Sequence, residues 1–108
     1  MGTIQFANLG DITMAYELTG ADAAPVVCVN HCFCADHRFW DVHMPAVKGF
    51  RVLRYDTRGH GQSSAPLGPY DLSMLAGDTT RLPDHLGIDH VHFAGVSMGG
   101  MIGQTLAL

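Results

Sequence analysis

Gly95-Val96-Ser97-Met98-Gly99 follows an apolar run, His90 to Val96, and opens a stretch of small and apolar residues from Met98 to Leu108. A G-x-S-x-G pentapeptide in that setting demands a strand, a tight turn and a helix in immediate succession, with small residues two before and two after the serine to relieve crowding. The turn exposes the serine oxygen beside a helix N-terminus, whose free N–H groups favour developing negative charge. Ser97 is therefore the candidate nucleophile and the Met98 N–H a candidate oxyanion donor. The competing reading, a glycine-rich turn with a spectator serine, is disfavoured by the flanking strand and helix.

The rest of the chain supplies the strands such a turn needs. Thr3 to Ala7 and Ile12 to Leu18 read as a hairpin around Asn8-Leu9-Gly10-Asp11. Val26 to Val29 and Arg51 to Tyr55 read as short apolar strands, with a short helix over Phe39 to Met44 ended by Pro45 between them. Asp56 to Pro69, rich in Gly, Ser and Pro, is a loop. Asp71 caps a helix running to about Leu86, with Leu72, Leu75, Leu82 and Leu86 near one face and Pro83 expected to kink it or end it early. Strands alternating with helices after an opening hairpin imply an α/β fold with a mostly parallel sheet. At 108 residues it is at most one domain, and 47% hydrophobic against 15% charged residues suits strands buried on both faces.

Ligands of such sheets bind at the C-terminal ends of the strands, and Asn30 to Asp36, Asp56 to Ser64 and Ser97 all fall there. His31-Cys32-Phe33-Cys34 occupies the place of an oxyanion loop, so the Phe33 N–H is the second candidate donor. Cys32 and Cys34 stand where glycine is common in such loops. His31, Cys32, Cys34 and His37 also invite a metal reading, but C-x-C with flanking histidines lacks the paired spacing of a structural zinc site, and no metal is expected. A catalytic thiol at Cys32 or Cys34 is disfavoured too, since free cysteines are usually small buried residues. In the Asp56-to-Ser63 loop, Asp56 and Arg58 read as anchors, and His60 is a conceivable base for Ser97 that no spacing places within reach. The other histidines, His37 included, read as surface or packing residues. Phe39 and Trp40 read as packing for the short helix, while Met98 and Met101 read as core filling or as pocket lining.

A net charge of −4 gives no electrostatic reason to expect nucleic acid or anionic membrane as a partner. No apolar run reaches the length of a membrane span, and the start lacks the basic and apolar segments of a signal peptide. Three closely spaced cysteines, an odd number, do not form a secreted disulfide framework, and a reducing cytoplasm is expected. The oligomeric state is left open.

Taken together, the opening hairpin, His31-Cys32-Phe33, the run Tyr55 to Ser63 and Gly95 to Gly100 resemble the N-terminal part of an α/β-hydrolase. Within that superfamily, Arg54 to Gly61 followed by Gly68-Pro69-Tyr70, and Ser97 to Met101, are most similar to the 3-oxoadipate enol-lactonase group. The resemblance implies hydrolysis of a small-molecule ester or lactone through an acyl-enzyme on Ser97, without a cofactor, its oxyanion held by the Phe33 and Met98 amides. It also implies a triad in the chain order Ser, Asp or Glu, His. On this reading residues 1–108 form a partial domain ending after the elbow. The C-terminal strands, any cap and the acid and base lie beyond Leu108, and the chain alone is expected to be inactive. Alternatives are a general carboxylesterase or perhydrolase-like enzyme, or a non-catalytic truncated fragment.

Overall fold

The computed structural model describes residues 2–108 as a five-stranded sheet flanked by helices on both faces. The strands are β1 (Gln5–Asn8), β2 (Thr13–Thr19), β3 (Val26–Asn30), β4 (Arg51–Tyr55) and β5 (His92–Gly95). The helices α1 (Leu72–His85) and α2 (Met98–Ala107) follow β4 and β5 respectively. Each predicted strand and helix is present within a few residues of its expected ends, and the opening hairpin is antiparallel, with Ala7 opposite Met14.

The spatial order β1-β2-β4-β3-β5 is not the chain order. Strand β2 is antiparallel to β4 as well as to β1, while β3 is parallel to both β4 and β5. The parallel half therefore begins at β4, and β5 lies at the sheet edge. Strand β3, paired on both sides, is buried at every position. Its Val26 and Cys28 join Met14, Leu53, Tyr55 and Leu82 on the face covered by α1, and Val27 and Val29 join Val52 on the opposite face under Trp40, Met44 and Val47. Burial on both faces is what a continuous apolar strand requires.

Between β3 and β4 the structure differs from expectation. The segment is a 3-10 helix over His37–Val47 that contains Pro45 instead of ending before it. Asp36 caps its start by accepting from the Arg38 N–H. A proline removes one amide donor, and in this irregular, partly exposed run it interrupts no α-helical ladder.

Helix α1 begins as predicted, with the Asp71 side chain accepting from the Met74 N–H at 2.8 Å. Pro83 sits inside its last turn and does not end it early as expected: the helix runs on to His85, with Leu86 as its C-cap. The Gly87 N–H bonds the Asp84 carbonyl and the Ile88 N–H bonds the Pro83 carbonyl, a Schellman closure.

Candidate active site

Strand β5 ends at Gly95 and α2 starts at Met98, leaving only Val96 and Ser97 between them, with Ser97 at φ 56° and ψ −112°. A left-handed φ for a non-glycine residue costs on the order of 1–3 kcal/mol and persists only where its surroundings enforce it. Here the enforcing contacts are backbone to backbone. A Cβ on Gly99 would stand 2.5 Å from the Asn30 carbonyl oxygen and 3.0 Å from that of His31, and a Cβ on Gly95 would meet the Gly99 backbone closer still. The glycines let the first turn of α2 rest directly on the ends of β5 and β3. The Val96 N–H reaches the Asn30 carbonyl at 3.3 Å, and the Met101 N–H returns to the Ser97 carbonyl at 3.0 Å.

Ser97 is exposed, and its side chain makes no capping bond to α2. Among the described residues the Met98 N–H donates to no acceptor within the chain, so one helix-terminal donor beside Ser97 is free. The Met98 side chain lies in the core with Leu75, Ala76 and Ile102, whereas Met101 is exposed.

The loop after β3 carries the second candidate donor. Cys34 has φ 64°, so one of the two cysteines at glycine-favoured positions does occupy the left-handed region. Two imidazoles hold this loop. Nδ1 of His31 faces the Cys32 carbonyl at 2.8 Å while its Nε2 accepts the Thr57 N–H at 3.0 Å. His60 accepts the Cys34 N–H on Nε2 at 3.1 Å, and its Nδ1 faces the Arg58 carbonyl, also at 3.1 Å. In both rings an accepting Nε2 leaves Nδ1 as the protonated donor. With both nitrogens engaged inside its own loops, His60 is not a base for Ser97.

The Phe33 side chain is 67% exposed, its ring set edge-on to His60 at 5.6 Å, and its N–H is not used within the chain. Phe33, Cys34, Ala35, Gly59, His60 and Gly61 line a hollow of about 330 Å³.

Burial lowers the pKa of His31, with the neighbouring His60 acting the same way, against the opposing pull of the Cys32 carbonyl, Asp56 and Asp36. A histidine kept neutral by folding makes stability fall as pH drops below its ordinary value of 6.5, because the unfolded chain then takes up a proton that the folded chain refuses. The fall ends once the folded ring protonates too. Urea midpoints measured from pH 7.5 down to 5 should show this slope, and His31→Asn should flatten it. An unchanged slope in that variant would assign the effect to another group.

The Asp56-to-Ser64 loop is anchored as its charges suggested, though Asp56 and Arg58 reach different partners. Asp56 is fully buried, and its Oδ1 accepts the His37 N–H and faces His37 Nδ1, at 2.7 and 2.8 Å. Its Oδ2 accepts the Gln62 N–H at 2.8 Å. Arg58 donates to both oxygens of Asp78 on α1, and to Asp11 in the hairpin turn. His37 is no surface residue: it lies buried between Asp56 and Glu17, whose Oε2 sits 2.9 Å from His37 Nε2 and also receives Arg54. Sequence reading passed over this cluster. Its available signal was a charged Glu17 and Arg54 flanked by apolar residues on two strands, where they prove to be cross-strand partners.

The four residues of the metal reading are not gathered around one point. His31 spends both ring nitrogens on loop backbone, while His37 turns to Asp56 and Glu17. Ligand atoms of Asp36, His37 and Asp56 do approach within 4.8 Å of one another. Each already has a protein partner, and the Arg38 guanidinium lowers the Asp36 pKa to about 2. The three cysteines are free thiols; Cys28 is in the core, where burial pushes its pKa up to about 12.

A strand–serine–helix elbow at the parallel edge of a mixed sheet is matched by a known family. The family described as alpha/beta hydrolase fold matches residues 25–108. The chain belongs to that family. Among its relatives, 3-oxoadipate enol-lactonase 2 of Acinetobacter baylyi is 36% identical over 99 residues, which are 91% of this chain and 37% of the relative. A hydrolase from Pseudomonas aeruginosa superposes with a TM-score of 0.94 at 43% identity, over 99% of this chain and 41% of that one. The enol-lactonase of Burkholderia xenovorans gives 0.92 at 40% identity, over 95% of this chain and 41% of its own. This alpha/beta hydrolase chain thus spans about two fifths of the length of these relatives. Among the described residues no helix is long and apolar enough to cross a membrane.

Proposed function

We propose that this chain carries the nucleophile and the oxyanion donors of a serine hydrolase acting on carboxylic esters or lactones, of the 3-oxoadipate enol-lactonase type. The observation that carries the reading is Ser97, exposed and left-handed at the start of α2 with the Met98 N–H unused beside it. Similarity to two enol-lactonases supports the substrate class.

In this mechanism Ser97 Oγ attacks the carbonyl carbon as its proton passes to a general base. The carbonyl electron pair moves onto oxygen, and the oxyanion accepts hydrogen bonds from the Phe33 and Met98 amides. Collapse of the adduct breaks the ester C–O bond. The leaving oxygen takes up the proton, and in a lactone it remains tethered to the acyl chain. Water then attacks the acyl-enzyme and restores Ser97. The acid and base are assigned to the portion of the relatives' length that this chain does not match.

A fluorophosphonate probe tests the reading in the complete enzyme. A single adduct on the peptide carrying Ser97 is expected, formed more slowly while an enol-lactone is present in excess. Labelling at a different serine, or hydrolysis that survives full labelling of Ser97, would overturn it. The substrate class is tested by kcat/KM, which should favour enol-lactones over simple aryl esters.

A further inference from the structure

We propose that His60 is a positioning residue for the oxyanion hole, acting through the peptide plane between Phe33 and Cys34; this rests on the serine-hydrolase reading above. Each peptide is a plane, so holding its carbonyl or its N–H orients both. The N–H of Phe33 shares a plane with the Cys32 carbonyl. That carbonyl is held by His31 Nδ1 at 2.8 Å and by the Ala35 N–H at 3.3 Å, which aims the Phe33 N–H the opposite way.

The other plane flanking Phe33 joins it to Cys34, and here the one side-chain partner is His60, whose Nε2 accepts the Cys34 N–H. With both planes held, the backbone of Phe33 has no free torsion. The need for a clamp comes from Cys34 itself. A glycine would keep φ 64° without help, whereas a cysteine relaxes toward negative φ unless something holds it.

His60 is placed for this work. Its Nδ1 is tied to the Arg58 carbonyl, its ring lies 5.2 Å from that of His31 and 5.6 Å from that of Phe33, and Arg58 is locked to Asp78. The clamp therefore runs from α1 through the Asp56-to-Ser64 loop into the oxyanion loop. Without the bond Cys34 relaxes toward negative φ, the turn closed by the Ala35 N–H on the Cys32 carbonyl loosens, and the plane of that carbonyl, which carries the Phe33 N–H, loses one of its two holds.

The test compares His60→Leu and His60→Gln in the complete enzyme. Leucine cannot accept a hydrogen bond, whereas the glutamine carbonyl oxygen reaches about as far as Nε2 and can. His60→Leu should lower kcat by about tenfold or more and weaken a boronic-acid inhibitor, which becomes tetrahedral on Ser97, by a similar factor, with KM within about twofold. His60→Gln should recover most of both losses. A loss shared between KM and kcat, an unchanged inhibitor affinity, or a glutamine variant as poor as leucine would overturn the proposal.

Two wild-type measurements keep the proposal decidable if His60→Leu does not fold. Nitrogen NMR should show His60 Nε2 unprotonated, and the Cys34 amide should exchange slowly with solvent; a protonated Nε2 or a freely exchanging Cys34 amide overturns it. Fluorophosphonate labelling separates the two readings. A wild-type enzyme that labels at Ser97 but ignores His60→Leu refutes this inference alone, and one that never labels at Ser97 refutes the hydrolase reading.

Discussion

Replacing Ser97 with alanine in the complete enzyme should lower kcat by about 10⁴ to 10⁶, the range seen when a triad nucleophile is removed and only binding and oxyanion stabilisation remain. The effect is chemical and not structural. Ser97 is exposed, its side chain caps nothing, and alanine bears the same left-handed strain at φ 56°. The melting temperature should therefore stay within a degree or two of wild type. Steady-state kinetics on an enol-lactone checks the first number and a thermal melt the second. A variant within tenfold of wild type would remove Ser97 from the reaction. A variant that loses activity by unfolding would instead show Ser97 to be a structural part of the turn.

Gly99→Val is the second large effect, and it acts on folding. The added Cβ would stand 2.5 Å from the Asn30 carbonyl oxygen, 3.0 Å from the Asn30 side-chain oxygen and 3.0 Å from the His31 carbonyl. Asn30 ends the fully buried strand β3, and its side-chain nitrogen donates to Thr57 at 2.8 Å, so these atoms have nowhere to go. Relief requires lifting α2 off the sheet, separating Met98 and Ile102 from Leu75 and Ala76. A loss of more than about 4 kcal/mol is expected, the range of exceptional single substitutions. Even Gly99→Ala should be strongly destabilising.

Gly77 gives the opposite sign, since it sits inside α1 with nothing within 4 Å of an added Cβ. Gly77→Ala should stabilise by about 0.5–1 kcal/mol through helix propensity alone. Denaturation midpoints of the three variants check the ordering, and a well-folded Gly99→Val would show that α2 does not rest on β3 as described.

Legibility in the sequence tracks the range of the interaction. The Asp71 cap, the end of α1 at about Leu86 and the strand–Ser97–helix turn were readable because each is decided by residues a few positions apart. The 3-10 run over His37–Val47 was less so, since its start is held by Asp56, far along the chain, as well as by the nearby Asp36. Pairing of β2 with β4 carries no local signature at all. Apolar strands announce burial, but their neighbours are chosen by the packing of the whole sheet.

The same division runs through the site. Sequence alone determined that Ser97 stands between a strand and a helix and that the Cys32–Cys34 loop and the Asp56 loop lie at the same end of the sheet, because periodicity, glycine placement and capping are properties of neighbouring residues. Tertiary structure alone decided that Cys34 takes a left-handed backbone, that His60 answers its N–H, and that His37 is buried between Glu17 and Asp56. Those contacts join loops and strands far apart in the chain, and a hydrogen bond between distant residues exists only once the sheet has brought its two ends together.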